Sequence, residues 1–94
     1  MTTIVQDRSL HGEIRVAAVF ESGNIKPVWF EQVEHPSAGR IFVKKVNLVW
    51  THYLGTATII SFAVSAADNN NYTLVLDAQE LIWSLTIAEI SPFR

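Results

Sequence analysis

Residues 40–67 read RIFVKKVNLVWTHYLGTATIISFAVSAA, and the fold turns on how this stretch is read. Two long runs rich in β-branched and aromatic residues meet at Leu54-Gly55. Val, Ile, Phe, Trp and Tyr suit a pleated, half-buried surface, and glycine supplies the turn. The stretch therefore predicts a long antiparallel hairpin at the centre of an all-β domain. Within it the alternation slips. Ile41 and Val43 share one parity, whereas Val46, Leu48 and Trp50 share the other. A one-residue slip turns every later side chain to the opposite face unless an extra residue is accommodated. A β-bulge at Lys44-Lys45 resolves the conflict and bends the strand. On this reading Leu48 and Trp50 point inward with Val46.

The second run has two unlike faces. Ile60, Phe62 and Val64 form one; Ala57, Ile59, Ser61, Ala63 and Ser65 form the other. A solvated sheet face carries long polar side chains. This face is small and uncharged, so another layer is expected to cover it.

Upstream, Ile14, Val16, Ala18 and Phe20 alternate with polar and small residues, the mark of a strand. Ser22-Gly23-Asn24 is a turn. Ile25–Val33 reads as a second strand, and Pro27, which has no N–H to donate, places the strand, or its start, at an edge. Glu34–Gly39 is a loop. Downstream, Asp68-Asn69-Asn70-Asn71 is a turn, and Tyr72, Leu74 and Leu76 point inward from a fifth strand. Asp77-Ala78-Gln79-Glu80 fits either a helix capping box or a four-residue hairpin turn. The hairpin is preferred, because Leu81, Trp83, Leu85 and Ile87 then alternate with Ile82, Ser84, Thr86 and Ala88.

The expectation is one all-β domain over residues 1–94: a six-stranded antiparallel meander, closed as a small barrel or strongly curled sheet, with residues 1–9 a loose arm and 89–94 a tail. No cysteine is present, which excludes disulfides and thiolate metal sites. The segment MTTIVQDRSLHGE has no basic region followed by an apolar run, so no secretory signal is expected. No stretch approaches a membrane span. A cytoplasmic location is the expectation.

The segments Pro27-Val28-Trp29-Phe30, Gly39-Arg40-Ile41-Phe42-Val43, Val46 and Trp50, Phe62-Ala63-Val64, Tyr72-Thr73-Leu74 and Trp83-Ser84-Leu85 together resemble a group of small, uncharacterised bacterial all-β proteins. The shared layout is P-x-x-F, G-R-x-[FY]-x-V, a Trp ending the third strand and a closing W-x-L, over most of residues 14–87. The loop before Gly39 is longer here. The resemblance implies a bacterial origin and a compact β fold. It carries no known activity, so it transfers no functional residues.

Composition speaks to partners. The chain is 49% hydrophobic and only 17% charged, against about 25% charged in ordinary domains. A charge deficit in a small domain predicts surface hidden from water, in a homodimer or against a protein partner. The formal net charge of −2 disfavours nucleic acid or an anionic membrane. His11, His35 and His52 show no ligand spacing, so no metal or other cofactor is expected. Ser61, His52 and Asp77 can be assembled into a triad on paper, as in any sequence with several hydroxyls. No enzyme is expected.

The candidate binding or interface residues are Trp29, Phe30, Arg40, Lys44, Lys45, Ala57, Ile59 and Ala63. Trp50 and Trp83 are read as core. Trp29 and Phe30 are neighbours on one strand, so one of them faces outward. Two uses follow: an interface, or a stacking platform for single-stranded nucleic acid or a carbohydrate, with Lys26, Arg40, Lys44 and Lys45 supplying positive charge. A small-ligand barrel is a further alternative, which the many large inward side chains disfavour.

Overall fold

A computed structural model describes residues 12–87 of the chain. The loose arm (1–9) and tail (89–94) expected at the two ends lie outside the described residues. Six strands follow one another: β1 (Gly12–Glu21), β2 (Asn24–Gln32), β3 (Ile41–Leu54), β4 (Ala57–Ala66), β5 (Asn71–Asp77) and β6 (Ile82–Ile87). Each pairs antiparallel with the next, and β6 returns to β1 through Gly12↔Leu85, Glu13↔Ser84 and Ile14↔Trp83, closing a barrel.

The turns follow from local chemistry. Glu21↔Asn24 leaves Ser22-Gly23 as a two-residue loop, with φ of 52° and 79°. Paired positive φ values make the type I′ turn that matches strand twist. Leu54↔Ala57 leaves Gly55-Thr56, with positive φ (63°) at the glycine alone, as a type II′ turn requires. Between β4 and β5, the Asp68 carboxylate accepts the Asn70 amide at 3.0 Å, and Asn69 takes φ 70°.

At the last turn both sequence readings contain part of the answer. Asp77 accepts the amides of Gln79 (3.0 Å) and Glu80 (3.1 Å), as a helix cap does. The chain nevertheless closes a hairpin, with Asp77 opposite Ile82. Leu81 is corrected here. It sits in the turn at φ 60° rather than in the alternating strand, which begins at Ile82, and it is exposed.

The core is the shared inner face of the strands. Ile14, Phe30, Phe62, Val64, Ala66, Tyr72, Leu74, Leu76 and Leu85 are buried, with Val16, Ile25, Ile41, Val43, Val46, Ile60 and Trp83 packed against them. Phe30 meets Tyr72 edge-on at 5.2 Å, and Phe62 meets Trp83 at 5.5 Å. Fully burying one such large side chain contributes about 1.5–3 kcal/mol. Six strands enclose little volume, and side chains fill it.

The bulge in β3 is real, and there are two. Val43↔Ala66 is followed by Lys45↔Ser65, leaving Lys44 as the extra residue. Val46↔Val64 is followed by Leu48↔Ala63, leaving Asn47 as a second one. The Asn47 side-chain amide donates to the Ser65 hydroxyl at 2.9 Å, and that hydroxyl donates to Asn71 at 3.2 Å. The second slip reverses the parity again. Val49 then shares a face with Phe62, and Leu48 and Trp50 share the outer face with Ala63 and Ser61. The expectation that Leu48 and Trp50 point inward is therefore corrected: they are 60% and 39% exposed.

Candidate functional site: the free edge of strand β3

β2 and β3 pair at Trp29↔Phe42 and Phe30↔Ile41 and then part. Two causes lie in the sequence. Pro27 brings no amide to that side of β2. The bulges at Lys44 and Asn47 bend β3 away. Among the described residues, no strand lies against the outer side of β3 beyond Phe42. Two clefts mark the parting. One, of about 310 Å³, is lined by Lys26, Pro27, Val43, Lys44, Lys45 and Val46. The other, of about 240 Å³, lies between Gly23, Asn24 and Ile25 on one side and Val49, Thr51, Ile60 and Phe62 on the other.

The hairpin geometry says which backbone groups are free. Residues flanking a two-residue turn form a hydrogen-bonded pair. Leu54 therefore turns its N–H and C=O to Ala57. Alternation along the strand then turns the groups of Tyr53, Thr51 and Val49 to the open side. Phe42, Leu48, Val49, Trp50, Tyr53 and Leu54 are all substantially exposed large hydrophobics on this one strand.

The residues singled out in the sequence fall into separate groups. Lys44 and Lys45 line the larger cleft together with Lys26. Arg40 is not with them. Its guanidinium lies over the Trp29 ring, 4.0 Å from the centroid. Arg40 also stands 3.8 Å from Glu31, which pairs with Arg15 at 2.6 Å. The stacked arginine covers a face that a base or sugar would need. Phe30 is fully buried at 0% exposure, so it belongs to the core and not to any surface. Trp29 is the outward member of that pair.

Ala57, Ile59 and Ala63 lie on the outer face of β4, each half-buried. Ser61 on the same face is only 3% exposed. It stands in register between Trp50 and Val75. Larger neighbours on adjacent strands thus flank the small-residue face. Ser61, His52 and Asp77 do not form a triad. His52 and Asp77 pair with Ile59 from opposite sides, which separates them by two strand spacings, roughly 10 Å. Among the described residues no cluster of potential metal ligands occurs, and no helix is long and apolar enough to cross a membrane.

Thr51, Tyr53 and Leu54 were not singled out by sequence reasoning. The signal available was charge. Val46–Leu54 contains no Asp, Glu, Lys or Arg.

Among the described residues two groups have clearly displaced acidities, and they face each other. Burial works against ionisation of Asp68, but the Tyr72 hydroxyl, donating at 2.8 Å, and the Asn70 amide outweigh it and hold the carboxyl below its ordinary value. Burial, reinforced by the bond to Asp68, pushes the Tyr72 phenol up.

No model of a known protein family, no curated protein and no solved structure matches this chain. The functional reading therefore rests on the geometry of β3.

Proposed function

We propose that this chain is a small β-barrel interaction domain that assembles with a second copy of itself, and that it works without catalysis. One observation carries the reading. Beyond Phe42 the longest strand of the barrel has, among the described residues, a neighbour on one side only, and there it concentrates the exposed apolar side chains Leu48, Val49, Trp50, Tyr53 and Leu54. Natural sheets shield such edges with charges, prolines, bulges or a covering element. Apolar surface left at an unshielded edge is stabilised by association.

Sedimentation over a concentration series tests this. A dimer forming by tens of micromolar supports the reading, and a doubly charged variant, Tyr53→Lys with Leu54→Lys, should remain monomeric. A wild-type chain that stays monomeric throughout ends the reading.

A second reading, a nucleic-acid- or small-ligand-binding barrel, draws on the convergence of Lys26, Lys44 and Lys45 at one cleft. It expects oligonucleotides to quench tryptophan fluorescence, and salt to reverse the quenching. The occupied face of Trp29 weighs against it.

A further inference from the structure

The protections along β3 are unevenly placed. Lys44, Lys45 and both bulges lie between Val43 and Leu48, and Pro27 stands across the cleft from them. Beyond Asn47 the strand runs in unbroken register with β4, from Leu48↔Ala63 to Leu54↔Ala57. That regular, uncharged segment is what an added strand needs.

The segment is also self-complementary. We infer that two copies join antiparallel through the β3 edges about a two-fold axis at Thr51, so that the barrels share one continuous sheet. This rests on the self-association proposed above and names its geometry. A two-fold interface must bring the same patch to itself. Centred on Thr51, the pairing sets Thr51 against Thr51 of the second copy, Val49 against Tyr53, Trp50 against His52 and Leu48 against Leu54.

The backbone agrees with this register. Val49, Thr51 and Tyr53 carry the outward N–H and C=O groups, and in this register they meet one another, each pair exchanging both of its hydrogen bonds. Moving the axis by one residue, to Trp50 or His52, would set inward-turned groups opposite each other. The side chains agree as well. Aromatic with β-branched and Thr with Thr are favourable cross-strand pairs, and no like charges meet. Lys44 and Lys45 fall beyond the paired segment.

A sequence with no native cysteine permits a clean crosslinking test in the full chain. Hydrogen-bonded antiparallel partners stand about 5.5 Å apart at Cα, within disulfide reach. Thr51→Cys should link to itself under mild oxidation. Val49→Cys and Tyr53→Cys should each fail alone, because like positions lie roughly 13 Å apart along the strands. Mixed, these two should link to each other. Thr51→Lys should abolish the dimer while leaving the thermal unfolding of the monomer little changed.

A dimer that links through Ala63→Cys but not through Thr51→Cys would overturn the edge pairing and leave self-association standing. A chain monomeric at every concentration would overturn both. A monomer whose Val49, Thr51 and Tyr53 amides are already protected from exchange would place the strand's partner within one chain, and overturn pairing between copies.

Discussion

β5 and β3 are built from similar residues and meet different fates. β5, NYTLVLD, pairs along its length with β4 on one side and β6 on the other. Its Tyr72, Leu74 and Leu76 are buried. β3 also carries Leu, Val, Trp and Tyr, but on both parities, and from Leu48 to Leu54 every residue is exposed. The difference is the neighbour. A strand with partners on both sides lies over the middle of the barrel. A strand that leaves one partner carries its inner face past the core and its outer face into water. Apolar composition therefore marks a strand, but neighbours decide whether it is core or exposed surface.

The contrast can be broken most sharply by truncating a leucine on each strand. Leu74→Ala on β5, at 0% exposure, should cost about 3 kcal/mol in denaturant unfolding, since it opens a cavity in a filled interior. Leu48→Ala on β3 should cost under about 0.5 kcal/mol in the monomer while weakening self-association. Equal losses of stability would erase the distinction between the strands.

The hairpin turn comes next. Gly55 has φ 63°, and a Cβ built there meets no atom within 4 Å. Gly55→Ala should therefore cost about 1–2 kcal/mol through backbone strain alone. A thermal melt that does not move would show that the β3–β4 turn is not held in this form.

A smaller effect concerns the β4–β5 end. Tyr72→Phe keeps the ring against Phe30 and removes the bond to Asp68. It should cost about 1 kcal/mol or less at neutral pH, because Asp68 itself is exposed. The sign with pH is fixed by the two shifts. The lowered carboxyl contributes stability above about pH 4, its unfolded value, and loses it as pH falls through the folded value. The raised phenol contributes below about pH 10 and loses its share as pH rises through the folded value. The gap between wild type and Tyr72→Phe should shrink at both extremes, and a gap constant from pH 3 to 11 would break the account.

The least perturbing measurement is amide exchange. At low concentration the amides of Val49, Thr51 and Tyr53 should exchange fast and those at the centre of β5 slowly. Raising the concentration should slow the first group alone.

Much of this architecture was legible in the residues. Alternation located each of the six strands, Asn, Asp, Gly and Ser located the turns, and the broken parity at Lys44-Lys45 announced a bulge. Of the two readings of Pro27, that the start of its strand is an edge agrees with the pairing, since β2 meets β3 only at Trp29 and Phe30; the strand as a whole lies between β1 and β3. The bulge at Asn47 was hidden, because apolar residues occupy both parities from Val46 to Tyr53 and periodicity cannot choose between them. Its loss carried Leu48 and Trp50 to the wrong face. Leu81 was misread for a related reason: apolar alternation cannot show where a strand ends and a turn with positive φ begins.

By itself, then, the sequence determined the type of each element, its order and the inward residues of β4 and β5, because these depend on short-range backbone preference and strict two-residue period. Only the tertiary structure decided which face of β3 is which, that Arg40 covers Trp29, that Phe30 is core, and that beyond Phe42 β3 keeps a single neighbour among the described residues. Those depend on which strands stay side by side, and that is set by bends accumulated across residues distant in the chain.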